Sequence, residues 1–262
     1  MAKDQGSDLI AIPVIPRRLF SQGLLFVRAD SPLQHPKDLE GRRVGLSTYQ
    51  TTLSVLAKGD LAHEYDVDWT SITWVTNRAE TLHVELPPQV RLEAAPSGRR
   101  VEDLLLAGDL LLVGDLDAVL LPHPPRSLIG STGGVRRLVP DARRAELDYY
   151  RRRGYWPAMQ PGRAAAGDRG GEPVVPGALY DAFEQAKAQV DESYLDPNWS
   201  VLAWGRSYLD EERAQLGGDP WCNGVRANEA NLQQFVGYAR EQGLINRECG
   251  MEDLFHHTVL QT

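Results

Sequence analysis

The chain has 262 residues, 42% of them hydrophobic and 24% charged, which suits a globular protein with one large domain or two small lobes. Its net charge of -8, from 28 basic and 36 acidic side chains, excludes a general nucleic-acid binder, which needs a basic face. No apolar run reaches the ~18 residues of a membrane-spanning helix, and the polar start from Met1 to Asp8 has no signal-peptide core, so the expected place is the cytoplasm.

In chain order, Leu9 to Ile15 reads as an apolar strand that ends at Pro16, Arg17 and Arg18. Gly23 to Val27 is a second strand, and Pro32 to Gly41 a loop or short helix. The stretch from Pro36 to Thr52 follows, PKDLEGRRVGLSTYQTT. Arg43 to Leu46 is a strand that stops at Ser47, Thr48, Tyr49 and Gln50, and a helical period (Leu53, Leu56, Ala57, Leu61) then begins. A strand that ends in hydroxyl residues before a helix exposes backbone N–H groups, which suit an anion such as a carboxylate; an ordinary N-cap gives the same local pattern.

Further strands are read at Ile72–Val75, Val90–Ala94 and Ala118–Leu121, with a helix over Val101–Ala107. Leu121 leads into Pro122-His123-Pro124-Pro125. Strands alternating with helices give an α/β class with a mostly parallel sheet. Ala142 to Arg153 is a basic helix. Residues 161–175 are rich in Gly, Ala, Arg and Pro without a hydrophobic period, and read as a linker. Leu179–Val190, Glu211–Ala214 and Asn228–Gln242 are helices, and Met251–Phe255 a last turn. Cys222 and Cys249 have no metal-ligand spacing and are taken as reduced. No Walker loop, GxGxxG or GxSxG occurs, which disfavours nucleotide enzymes and serine hydrolases.

Four phrases stand in one order: LEGRRVGLSTYQTT, DLDAVLLPHPP, YYRRRGYWPAM and GDPWCNGVRANEANLQQFVGYAREQGL. Together they resemble the 4,5-dihydroxyphthalate decarboxylase family, over about Leu9 to Leu254. The resemblance implies a two-lobe fold like the type-2 periplasmic binding proteins. Residues 1–40 and 176–262 would form lobe one, 41–160 lobe two, and 161–175 a crossover. Family members carry further strands before LIAIPV, so lobe one is expected to be incomplete, with the apolar side chains of Leu9, Ile10, Val14 and Ile15 left bare.

The implied chemistry is the non-oxidative decarboxylation of a dihydroxylated aromatic diacid to a dihydroxybenzoate. No metal or organic cofactor is implied, because a phenol para to the leaving carboxylate activates the ring. Arg18 matches a family arginine and is cast as a carboxylate clamp, with Arg17 a weaker choice. Ser47 and Thr48 would bind an anion, and Tyr49 and Gln50 would meet the ring and its hydroxyls. His123, at a strand end between prolines, is the candidate general acid, with Tyr49 beside it as a catalytic candidate; the family more often has arginine at the His123 position. His35, His63, His83, His256 and His257 receive no role, and Asn228 is read as an N-cap. The expected partner is a small-molecule carboxylate, with no nucleic acid and no membrane insertion, and a homo-oligomer stays open. A solute-binding protein of an ABC transporter and an inactive fragment are the alternatives.

Overall fold

The computed structural model describes residues 1, 3–7, 9–96, 100–101, 116–123, 134–165, 174–196 and 198–262. The chain divides into two compact units. One holds Phe20–Glu146 and Phe235–Asn246, with Met1; the other holds Ala2–Leu19, Leu147–Gln234 and Arg247–Thr262.

The first unit is built on a six-stranded sheet. Its strands are β2 (Leu25–Arg28), β3 (Arg43–Leu46), β4 (Thr73–Thr76), β5 (Arg91–Ala94), β6 (Ala118–Leu120) and β7 (Val135–Arg137), in the order β5-β4-β3-β6-β2-β7. β3 runs parallel to β4 and β6, and β4 parallel to β5. β2 is antiparallel to β6 and to β7, so it alone among these strands runs against the rest. The mostly parallel α/β class expected from the alternation of strands and helices is the one found. Central strands buried on both faces need apolar side chains throughout: Val44, Leu46, Trp74 and Val75 are all buried. Gly45 is small for a reason. A Cβ there would stand 2.5 Å from Leu116 and 2.9 Å from Val101, both in the apolar cluster with Phe26, Val75, Val119 and Leu121.

Helix α1 (Thr52–Tyr65) follows β3. Thr51 caps it, its hydroxyl accepting the Ser54 N–H at 3.3 Å, and Asp66 ends it in the left-handed region at φ 53°. Every residue from Leu53 to Leu61 is buried, Lys58 and Asp60 included. A helix covered all round shows only a blurred apolar stripe.

The second unit starts from β1 (Leu9–Arg18), paired antiparallel with β8 (Ala158–Ala165). This corrects the reading of 161–175 as a linker for its first five residues; 166–173 lie outside the described residues. Residues up to Ala165 form a strand, with Ile12 opposite Gly162 and Ala11 opposite Arg163. The register breaks between Ile12 and Arg17, where Pro13 and Pro16 sit. Proline has no N–H for the ladder, and residues 221–224 serve that backbone instead. Gly224 N–H donates to Pro13 O (2.8 Å), Ile15 N–H to Asn223 Oδ1 (2.7 Å) and Trp221 Nε1–H to Ile15 O (2.8 Å). The expected bare strand is also corrected. Ile10, Val14 and Ile15 are buried and Leu9 is half-buried, because β1 lies against β8 and α3 (Val174–Ser193).

Helices α2 (Ala142–Arg153), α4 (Gly205–Leu216), α5 (Val225–Glu241) and α6 (Met251–Leu254) complete the chain. Val225, Leu232, Met251, Phe255 and Val259 form a second apolar cluster. The two compact units do not share the boundaries of the expected lobes, 1–40 with 176–262 and 41–160. The cause is pairing: β2, expected in lobe one, bonds to β6 and β7. The helix read over Val101–Ala107 lies outside the described residues except for Val101.

Candidate functional site

β3, β4 and β6 are parallel neighbours, and Leu46 lies opposite Thr76. Three segments therefore leave the sheet at one carboxyl edge: Ser47–Gln50 after β3, Asn77–Leu82 after β4, and Leu121–His123 after β6. From β3 the chain goes to β4 and β5 on one side, and β6 lies on the other. Open α/β sheets bind ligands outside the strand ends where the chain reverses its direction of travel in this way.

The Ser47–Gln50 loop is held from several sides. Asn77 and Arg78 donate their N–H groups to Ser47 O at 3.2 and 3.1 Å, and Ser54 Oγ–H donates to Thr48 O at 2.7 Å. Gln50 turns its side-chain amide onto Leu82, donating to the carbonyl at 2.6 Å and accepting the N–H at 3.1 Å. The backbone N–H groups of Tyr49 and Gln50 are both taken by one carboxylate. Tyr49 N–H donates to Glu80 Oε1 at 2.6 Å and Gln50 N–H to Glu80 Oε2 at 3.2 Å. The sequence cast Ser47 and Thr48 as the anion binders; the amides that hold a carboxylate are those of Tyr49 and Gln50, and the carboxylate is the chain's own Glu80.

Beneath the loop lies Lys58 of α1, 0% exposed. Its Nζ donates to Tyr49 O at 2.9 Å, stands 2.9 Å from the centroid of the Tyr49 ring and 5.9 Å from that of Trp74. Burial pushes the Lys58 ammonium well below the usual lysine range, against the pull of Glu80. Tyr49 is 0% exposed, and its buried hydroxyl has no hydrogen-bond partner among the described residues. Burial, then the Glu80 charge, raises the Tyr49 phenol above its ordinary value.

Lys58 carries a pH signature. Its folded pKa lies below its unfolded one, so between the two the unfolded chain binds the extra proton. Stability then rises with pH through that window, and the penalty is complete below the folded pKa. Urea denaturation of the wild type and Lys58→Met from pH 7 to 9 checks this. The wild type is expected to gain stability relative to the variant as the pH rises toward the ordinary lysine range; parallel profiles would show that Lys58 does not titrate in this way.

The sequence candidates fall in two groups. Ser47, Thr48, Tyr49, Gln50 and His123 belong to the first unit, with Ser47, Thr48 and Gln50 half-buried and His123 exposed. Arg17 and Arg18 belong to the second. Arg18 is 2% exposed, and its guanidinium donates to Trp156 O (2.5 Å), Cys222 O (2.5 Å) and Asn228 Oδ1 (2.6 Å). The terminal nitrogens of the expected clamp thus bind the chain's own neutral oxygens, and burial holds its pKa below the ordinary value. Asn228 lies inside α5 and is not its N-cap; its side-chain N–H groups donate to Gly224 O at 2.8 Å and Cys222 O at 3.0 Å.

Glu80 and Lys58 went unread in the sequence. Lys58 left a signal, as a charge inside the apolar run of α1; Glu80 left none, in a polar loop between strands. The second unit also holds a cavity of about 850 Å³ whose walls include Trp156, Tyr194, Arg213 and Trp221. Among the described residues no three His, Cys, Asp or Glu side chains are grouped to hold a metal, and no helix is long and apolar enough to cross a membrane. Both cysteines are free thiols.

No protein-family model matches the chain. It is 31% identical over 264 residues to a 4,5-dihydroxyphthalate decarboxylase of Comamonas testosteroni, a match that covers 98% of this chain and 78% of that protein. It is 31% identical over 155 residues to a 4,5-dihydroxyphthalate decarboxylase of Pseudomonas putida, covering 57% of this chain and 58% of that one. Among solved structures, the periplasmic aliphatic sulphonate binding protein SsuA from Escherichia coli aligns with a TM-score of 0.47 at 16% identity, over 100% of this chain and 77% of that one.

Proposed function

The chain belongs to the 4,5-dihydroxyphthalate decarboxylase family, and from that premise we propose that it removes one carboxylate from a dihydroxylated aromatic diacid without oxidation. The observation that carries the reading is the 31% identity sustained over 98% of the chain. The site adds chemical support. Two adjacent backbone N–H groups, of Tyr49 and Gln50, are spaced for the two oxygens of one carboxylate, which is how Glu80 uses them.

In this reading the retained carboxylate of the substrate lies on the Tyr49 and Gln50 amides. The leaving carboxylate sits para to a ring hydroxyl. A proton reaches the ring carbon that bears the leaving group, and the para hydroxyl accepts the positive charge that results. The carbon–carbon bond then breaks, its electron pair restores the aromatic ring, and carbon dioxide departs from a dihydroxybenzoate. His123, at the same carboxyl edge of the sheet, is the proposed proton donor; a positioned acid of this kind contributes about 10²–10⁴-fold.

The purified chain incubated with 4,5-dihydroxyphthalate tests the proposal. Dihydroxybenzoate and carbon dioxide are expected in equal amounts, the first read by chromatography and the second by trapping. Substrate recovered unchanged by a correctly folded sample would overturn it.

A further inference from the structure

We propose that Glu80 is an internal stand-in for a ligand carboxylate, and that a small carboxylate must displace it from the Tyr49 and Gln50 amides in order to bind. The inference rests on the reading of the Ser47–Gln50 loop as a carboxylate seat.

The contact has the geometry of a bound ligand. Each carboxylate oxygen takes a different amide, Oε1 that of Tyr49 and Oε2 that of Gln50. This is distinct from capping. The helix is capped one residue later by Thr51, whose hydroxyl receives Ser54 N–H, and the two amides lie ahead of that cap. A buried lysine lies under the same loop, its Nζ donating to the Tyr49 carbonyl and so fixing the peptide unit that carries the Gln50 N–H. Backbone N–H groups that point together form an anion seat whichever anion fills it.

Glu80 is well placed to yield. It is half-buried, so its released carboxylate can be hydrated. The segment that carries it is pinned independently on both sides. Asn77 and Arg78 bond to Ser47 O, and Leu82 bonds to the Gln50 side chain. Releasing Glu80 therefore leaves the seat formed. An internal competitor lowers apparent affinity by the fraction of time that the seat is free. If Glu80 occupies it nine-tenths of the time or more, its removal tightens binding about tenfold or more.

The test is a titration of the ¹⁵N-labelled full chain with phthalate (benzene-1,2-dicarboxylate), read at the amide signals of Tyr49 and Gln50. It is run on the wild type, Glu80→Ala and Glu80→Gln. Both amide signals are expected to move on adding phthalate, with half-saturation in Glu80→Ala at a concentration about tenfold or more below that of the wild type. Glu80→Gln keeps an acceptor oxygen without the charge and is expected to fall between them. Glu80→Ala is also expected to melt higher with phthalate, by a larger increment than the wild type. Amide signals that stay still in all three proteins, or equal half-saturation in the wild type and both variants, would overturn the inference. Equal half-saturation with both signals moving would leave the carboxylate seat standing and remove only the competitor. Because Glu80→Gln keeps one acceptor for the loop, the comparison survives if Glu80→Ala does not fold.

Discussion

Arg18→Met is expected to destabilise the protein by about 3 kcal/mol or more, with little change in phthalate affinity for whatever fraction stays folded. The side chain is fully enclosed, and its terminal nitrogens bond to Trp156 O, Cys222 O and Asn228 Oδ1. Methionine matches the stem but leaves Asn228 Oδ1 without its donor and strips the charge-assisted bond from Trp156 O and Cys222 O, which keep only Asn231 and Asn228. The orphaned buried acceptor costs about 1–3 kcal/mol, and each lost bond to the charged guanidinium adds to that. Water cannot readily replace the guanidinium, because the neighbouring backbone is already fastened by Asn228 to Gly224 O and Cys222 O. Arg18→Lys is expected to recover only part of the loss, since one ammonium cannot reproduce a planar fork. Urea denaturation measures the stability and thermal shift with phthalate measures the binding. A variant within about 1 kcal/mol of the wild type that no longer binds phthalate would restore the clamp reading.

This also shows what a sequence does and does not carry. The step from β3 to α1 was legible, because an apolar strand, a run of hydroxyl residues and a 3.6-residue period are local features. The environment of Arg18 was not. From the sequence it is an arginine just past an apolar run, and nothing local says that Trp156, Cys222 and Asn228 close around it. Residues 161–165 misled for a related reason. Gly162 and the alanines have poor strand propensity, but β1 supplies the apolar side chains of that pair, and its partner needs little beyond backbone. Tertiary pairing overrides weak local preference in such cases. Glu80 was hidden because a carboxylate aimed at two amides 31 and 30 residues earlier leaves no periodic trace. The resemblance in four ordered phrases gave the family correctly, since it used the whole chain at once. It gave less about the site, because that depends on which side chains meet.

Gly59→Leu is expected to cost about 3 kcal/mol or more, and to be suppressed by shrinking one partner. Gly59 lies in the buried middle of α1, against the ring of Tyr238 in α5. Even a Cβ at this position runs into that ring, near end included, so the whole side chain of Tyr238 must move. It cannot move freely. Tyr238 is buried, stacked on His63 with centroids 5.1 Å apart, and its hydroxyl donates to Asp60 Oδ1 at 3.4 Å. Leucine is a better helix former than glycine by about 0.8–1 kcal/mol, so helix propensity alone predicts a gain. Overpacking of a closed core costs about 1–3 kcal/mol and occasionally more, and four inserted carbons belong at the upper end. Tyr238→Ala alone removes the ring and leaves a cavity, at about 3–5 kcal/mol. Combined, the leucine occupies space the ring vacated, and the double variant is expected to be more stable than Tyr238→Ala alone. The sign of that difference decides the matter. If the two losses simply add in urea denaturation, the close approach of α1 and α5 at Gly59 is not what limits this position. The site feels the same contact. α1 begins at the Thr51 cap, directly after the Tyr49 and Gln50 amides, and Lys58 is the residue next to Gly59. A Gly59→Leu protein that folds is therefore expected to bind phthalate more weakly, through a displaced seat with all of its donors intact.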